Sequence, residues 1–360
     1  MKNRTREQAS HVISTVLMVV LALVLGGVLI ILSGNSPAEA YGAMVNGAFG
    51  SKNKISELFV KLIPIMLMAF GVSIAYKGQL WNIGATGQFV MGAIATTIVA
   101  LYFPGPVFLK MIVSFIAAIA AGALWAAIAG WLKNRFNANE VITTIMLTHI
   151  ARYFLMYAVT GPAGFLHDPY SDLTQSDAIP EGMHLSRLLG NSYRLHSGIF
   201  ILATAIILMF FFWKTTTGHR IDLTGQGRKV AVYAGVNVRR TVMITLLISG
   251  GFAGLAGWLE IVAIQYRLQS TFTDYGNIAT IIALLGGLSP AGIIASAAFF
   301  SVLLCGGSSM QRMTNVPYSV VDVMQGLIII LIIAKTGLSS KVSKILDRFG
   351  RKKEKEAQND

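Results

Sequence analysis

Two amide side chains six positions apart, Asn82 and Gln88, stand in the stretch Lys77-Gly78-Gln79-Leu80-Trp81-Asn82-Ile83-Gly84-Ala85-Thr86-Gly87-Gln88. Amides present donors and acceptors together, which suits hydroxyls and base edges. Trp81, beside the first amide, has a ring that can stack on another flat ring. The stretch is rich in glycine and breaks two long apolar segments apart. Irregular backbone at membrane depth is tolerated only where protein buries it or where it lines a wet cavity. This makes it a candidate wall for a solute path, and Gly286-Gly287-Leu288-Ser289-Pro290 is a second candidate of the same kind. A plainer reading stands beside it: Trp81 anchors at an interface and the glycines let helices approach closely.

Ionisable residues inside apolar segments are costly and are functional candidates by default. His149 and Arg152 fall within one such segment, and Glu260 falls near the end of another. Their structural alternatives are a packed, hydrogen-bonded imidazole, a snorkelling guanidinium and a carboxylate at the headgroups.

A different chemistry is concentrated in residues 214–240. Lys214, Arg220, Arg228, Lys229, Arg239 and Arg240 stand there against one acid, Asp222. A loop so basic between spans belongs on the inner side of the membrane. The sequence predicts a short helix over 228–234, closed by Gly235, on which a cytoplasmic motor can grip the membrane-embedded part.

The elements that must hold these residues are membrane helices. The chain of 360 residues is 54% hydrophobic and 12% charged, well below the charged share of about 25% found in soluble domains. An all-α polytopic membrane protein follows, with about ten apolar segments. The net charge of +13 is strung along loops and ends, which fits topology and anionic lipid and not nucleic acid. A first span is read at 12–32, longer than a signal peptide's apolar core of about 7–15 residues. Residues 33–54 read as a polar outer stretch. Spans are then expected at 55–76, 89–103, 107–132, 141–159, 197–213 and 241–263, with Asn139 capping the fifth span and Pro64 interrupting the second. Residues 161–196, which carry Asp168, Asp172, Asp177 and Glu181, form an outer loop. The pieces 278–288 and 291–304 read as two short half-crossing helices. A last span at 320–333 then leads to a Lys- and Arg-rich tail, so that both termini lie inside. Interrupted segments in the two halves hint at an internal repeat. Residues 1–350 read as one transmembrane domain and 351–360 as a charged tail.

Absences narrow the function. There is no G-x-x-x-x-G-K-[ST] phosphate loop, no HExxH, and a single cysteine, Cys305. No Ser/His/Asp set can be assigned, and no row of intramembrane carboxylates suggests a proton-driven carrier. The expectation is a transport subunit and not an enzyme, with neither cofactor nor metal.

Several stretches, in order, resemble permease subunits of bacterial ABC importers of the nucleoside, simple-sugar and branched-chain amino acid branch. Residues 80–88 (LWNIGATGQ) are similar to the pattern FNIGAEGQ, and residues 139–147 (NEVITTIML) to NEVISTIML. Thr217-Gly218-His219-Arg220 and Tyr233-Ala234-Gly235-Val236-Asn237-Val238-Arg239-Arg240 resemble its inner loop, and SGGFAGLAGWLE at 249–260 continues the match. So do Ala283-Leu284-Leu285-Gly286-Gly287, Met310-Gln311 and Val321-Asp322-Val323-Met324-Gln325-Gly326-Leu327. The pattern looks most like nucleoside permeases that work with a basic-membrane-type lipoprotein. It departs where Thr86 replaces a Glu, where Thr148-His149 replace Asn-Tyr, and where Gly227-Arg228 stand near an Asn-Pro.

The resemblance implies cytoplasmic ATP-binding subunits, a second permease, an external substrate-binding lipoprotein and surrounding membrane lipid as partners. It places ATPase coupling on Arg228, Lys229, Ala231, Tyr233, Ala234 and Gly235. The candidate solute path then comprises Trp81, Asn82, Gln88, Thr148, His149, Glu260 and Asn277. A branched-chain amino acid or ribose permease, and a stand-alone secondary transporter, remain alternatives.

Overall fold

The computed structural model describes residues 2–161, 164–190, 192–271 and 274–331. Helices dominate these residues. They are α1 (Lys2–Leu32), α2 (Pro37–Phe49), α3 (Lys52–Lys77), α4 (Ala85–Tyr102), α5 (Val107–Phe136) and α6 (Glu140–Val159). Then come α7 (Gly198–Phe212), α8 (Thr216–Gln226), α9 (Arg228–Tyr233), α10 (Val238–Leu259), α11 (Tyr275–Leu285), α12 (Pro290–Thr314) and α13 (Ser319–Leu331). Among the described residues six helices are long and apolar enough to cross a membrane, or up to eight if two bent pairs each count as one span.

Local signals explain the boundaries. The Asn139 side chain accepts from the Val141 backbone N–H at 2.9 Å, so α6 begins at Glu140 with its charge in the first turn. Asn137 closes α5 in the left-handed region at φ +52°, a conformation Asn tolerates. The last turn of α10 widens into a π-helical turn at Glu260–Gln265 that ends at left-handed Tyr266.

Several expectations are corrected. Residues 33–54 are not a polar stretch: Ser36 and Pro37 start the helix α2, with Pro at a first-turn position where its missing N–H costs nothing. α3 runs unbroken through Pro64. Only the first of the two half-crossing pieces is short. Residues 291–304 lie within α12, a full 25 residues that begin at Pro290, so Pro290 opens a helix instead of separating two fragments. Of the expected last span, 320–331 falls in α13, and 332–333 with the tail lie outside the described residues.

The chain separates into two compact units, Ser51–Ser301 and a second built from Met1–Gly50 with Val302–Asp360. In the smaller unit α2 packs on the later part of α12, where a Cβ at Gly47 would overlap Ser309 and one at Gly306 would overlap Met44. In the larger unit α10 is central and packs on α3, α4 and α5. Its contact with α5 is made backbone to backbone. Cβ atoms at Gly250 or Gly254 would overlap the carbonyls of Gly122 and Ala118, and one at Gly257 would overlap the Phe89 carbonyl. Small residues are what permit such closeness between membrane helices.

Candidate functional site

The break between α3 and α4 is buried. Asn82 has no exposed surface, and Gln88 and Ser249 are nearly as covered. The Asn82 amide donates to Gln88 Oε1 at 3.1 Å and to Ser249 Oγ at 2.9 Å. Its oxygen accepts from Gln88 Nε2 at 2.9 Å and from the Gly84 backbone N–H at 3.1 Å. All four bonding positions of Asn82 are thus filled from within the chain. The pair is formed across the turn that starts α4, and Ser249 ties it to the middle of α10.

Trp81 points the other way. It is 45% exposed, and its ring leans on Tyr76 with centroids 4.8 Å apart. Thr148 is half-buried with its hydroxyl donating to the Thr144 carbonyl at 3.1 Å, and its neighbour His149 is exposed. α4 meets α6 closely at this level, because a Cβ at Gly84 would press on Thr144 and one at Gly87 on Thr148.

A polar cluster lies next to it. Thr86, at the start of α4, donates to Asp274 Oδ1 at 2.6 Å. Arg152 on α6 sits 2.8 Å from Asp274 Oδ2, and Asn277 in the first turn of α11 donates to the same oxygen at 2.7 Å. Asn277 is exposed, and the ion pair is partly so. Asp274 was not singled out by sequence reasoning, and Thr86 was noted only as a departure from the related pattern. The available signal was Asp274 in the position ahead of an apolar run, where a carboxylate commonly precedes a helix.

Glu260 stands apart from these groups. It is buried in the π-helical turn, where Gln265 Nε2 donates to its Oε1 at 3.1 Å. Of the seven candidate path residues, then, Asn82 and Gln88 bond to each other in the interior and Glu260 is buried elsewhere. Trp81, Thr148, His149 and Asn277 keep exposed or half-buried surface. Among the described residues no three His, Cys, Asp or Glu side chains come together as a metal site would need.

The basic loop holds two helices, and α8 was not anticipated. Its cap is Thr215, whose hydroxyl accepts from the Gly218 N–H at 3.2 Å. α9 follows at Gly227, whose φ of +145° suits glycine, and Gly235 closes the turn at φ +72°. Arg228, Lys229, Ala234 and Gly235 are exposed, and Tyr233 is 94% exposed. Ala231 is fully buried and packs inward. α8 and the residue that caps α7 hold the end of α3: Lys77 Nζ is 3.9 Å from Asp222 Oδ1 on α8 and 4.0 Å from the centroid of the Trp213 ring. Ile221, fully buried, lies against Gly78, and a Cβ at Gly225 would overlap the Lys77 carbonyl.

The acidic loop 161–196 is stitched to the chain beyond α10. Backbone N–H groups of Ser176, Ile179 and Leu185 donate to the carbonyls of Leu268, Tyr266 and Val262 at 2.8, 2.9 and 3.0 Å. Arg194 pairs with Glu57 at 3.0 Å. His196 is fully buried, and its Nδ1 accepts from the Gly198 N–H at 3.2 Å. Burial above all, and the nearby Arg194 charge, push its pKa down to about 4.

Comparison with known proteins bears on what this arrangement serves. The profile of the family described as branched-chain amino acid transport system / permease component matches residues 54–333. The guanosine ABC transporter permease protein NupP of Bacillus subtilis is 32% identical over 94% of this chain and 98% of its own. The nucleoside ABC transporter permease protein NupB of Lactococcus lactis is 32% identical over 93% of both chains. The glucose ABC transporter permease protein TsgB13 of Haloferax volcanii is 32% identical over 88% of this chain and 86% of its own.

Proposed function

The chain belongs to the branched-chain amino acid transport system permease family, and on that premise we propose that it is the subunit of an ABC importer through which nucleosides pass inward. It is a multi-pass protein of the cell membrane. Two relatives named for nucleosides or guanosine, each aligned along nearly the whole chain, support that substrate class. The glucose permease among the relatives supports a simple sugar as the second reading.

In this reading residues 1–350 work as one permease domain with both termini on the cytoplasmic side. ATP is hydrolysed by cytoplasmic partner subunits, a second and related permease completes the path, and an external lipoprotein delivers the solute. The exposed face of α9, with Arg228, Lys229, Tyr233, Ala234 and Gly235, docks on the ATPase. Buried Ala231 holds that helix in place from behind.

The observation that carries the mechanism is the grip of α8 on the end of α3. α8 and α9 are consecutive, so a push on α9 is delivered to Lys77 and Gly78. Those two residues open the break that contains Trp81 and Asn82. Asn82 in turn is bonded to Ser249 at the middle of α10. Closure of the ATPases would therefore reach the core helix and the candidate path through one short stretch of backbone.

The test is uptake of labelled nucleoside in cells that lack the partner ATPase, beside cells carrying Tyr233→Ala. Loss of uptake in the first and a severalfold fall in the second are expected. Full uptake in both would instead point to a stand-alone secondary transporter. Competition by unlabelled sugars separates the nucleoside from the sugar reading.

A further inference from the structure

The cluster around Asp274 has more bonding capacity than its partners among the described residues use. A carboxylate offers about four acceptor positions, and Thr86, Asn277 and Arg152 occupy one on Oδ1 and two on Oδ2. A guanidinium offers five N–H donors in a planar fork, and one is directed at Asp274. Both partners also remain open, with 42% of the Arg152 side chain and 39% of the Asp274 side chain exposed.

Position makes that exposure informative. Arg152 lies twelve residues beyond the start of α6, about 18 Å along the helix at 1.5 Å per residue. The hydrocarbon layer is about 30 Å thick, so the pair sits at membrane depth. Charges at that depth turn toward a bundle interior or a water-filled cavity because lipid exposure is costly. Beside them the exposed amide of Asn277 continues the polar surface. One turn further along α11, the Thr280 side chain bonds Tyr76, the residue on which exposed Trp81 leans. An ion pair, an amide and an indole therefore follow one another along α6, α11 and the break after α3.

Resting on the importer reading above, we infer that Asp274 and Arg152 are the specificity-determining contact for the solute in transit, and that they read a vicinal diol on an uncharged molecule. One hydroxyl donates to a second acceptor position on Asp274 Oδ1, and its neighbour accepts from Arg152. The ribose of a nucleoside and the ring of a simple sugar both carry such a diol. The Trp81 ring offers a flat surface for a base. Thr86 serves the contact by donating to Asp274. A Glu at 86, as in the related pattern, would set a second acceptor against the carboxylate.

The competing role is a clamp that only ties α4, α6 and α11 together. The experiment uses the complete importer in proteoliposomes with its receptor saturated. Maximal uptake rates are compared for a ribonucleoside and its 2′-deoxy counterpart, or for a sugar and its deoxy analogue if the importer takes sugars. Saturation removes the receptor's own selection from the ratio. The unmodified importer should favour the diol, and Asp274→Asn should lower that preference about tenfold, as loss of one charged hydrogen bond does. The exchanged pair Arg152→Asp/Asp274→Arg should regain thermal stability without regaining the preference. A preference unchanged in Asp274→Asn, or restored by the exchange, would leave the pair a clamp and overturn the inference. If the unmodified importer takes up neither nucleosides nor sugars, the importer reading falls and this inference falls with it.

Discussion

Asn82 and Gln88 donate to each other's side-chain oxygens, at 3.1 and 2.9 Å, in a site that solvent does not reach. Two residues whose composition suggested a wall for the solute are thereby satisfied without one. The amide pair fixes the turn that begins α4 and, through Ser249, the position of that turn on α10. The surface left for a solute belongs to their neighbours, Trp81 and the Thr86–Asp274 contact.

Asn82→Leu keeps the branched shape of the side chain and removes four hydrogen bonds. Gln88 then loses both its partner groups inside the protein, and an unpaired buried amide costs about 1–3 kcal/mol. The purified protein should lose several degrees of Tm in thermal unfolding. The double variant Asn82→Leu/Gln88→Leu should cost less than the two single changes added together, because it leaves no orphaned amide. Additive losses would show that the reciprocal pair is not the source of the stability.

Glycines on two helices separate packing from backbone freedom. A methyl at Gly254 would run into the Ala118 carbonyl and the Gly122 backbone, whereas one at Gly42 in α2 meets no atom within 4 Å. Gly254→Ala should sharply reduce the yield of folded protein. Gly42→Ala should leave stability unchanged or raise it by up to about 1 kcal/mol, the usual helix preference for Ala over Gly. Equal behaviour of the two in thermal unfolding would contradict the close crossing of α5 and α10.

His196 ties stability to pH. Its pKa is pushed from 6.5 to about 4 by burial, with Arg194 adding to the effect. The unfolded chain therefore binds this proton more readily than the folded one. The neutral form is favoured in both states above pH 6.5, and stability falls as pH drops from about 6.5 to about 4. At 1.36 kcal/mol per unit the loss reaches about 3 kcal/mol. Protonation would also remove the Nδ1 acceptor used by the Gly198 N–H. His196→Gln should flatten this part of the Tm-against-pH curve, and an unaltered slope would assign it to other groups.

The helices were legible because a membrane demands long apolar runs, and Asn139 and Gly235 mark their ends by chemistry that acts locally. α2 was missed for the opposite reason. Its small residues gain their value from Ser309 and Gly306 on α12, which are far off in the sequence. Pro290 was misread because a proline opens a helix as readily as it divides one. For the candidate site, Trp81, Arg152 and Asn277 could be singled out one by one. Their arrangement could not, since Thr86 and Asp274 are joined by a fold that brings together positions 188 residues apart. Asn82 and Gln88 show the complementary limit: sequence reveals that an amide can bond, and only packing reveals with what.

Lys77 provides the sharpest test of how force crosses this subunit. Its ammonium lies 4.0 Å from the Trp213 ring centroid and 3.9 Å from Asp222, so one charge joins the end of α3 to the start of the basic loop and to α8. Neither interaction is strong alone: a partly exposed ion pair contributes about 0–1 kcal/mol and a cation over an indole about 0.5–1. Lys77→Met keeps the apolar stem over the ring and removes the charge, so folding and assembly should survive. What should suffer is transmission, because the remaining contact of Ile221 with Gly78 is apolar and can slide. In the assembled importer, ATP hydrolysis is expected to continue near its normal rate while solute moved per ATP falls severalfold. Asp222→Asn should fall in the same direction and by less, since the Trp213 contact remains. If uptake and hydrolysis decline together, Lys77 serves assembly; if neither changes, the push from α9 reaches α10 by another route.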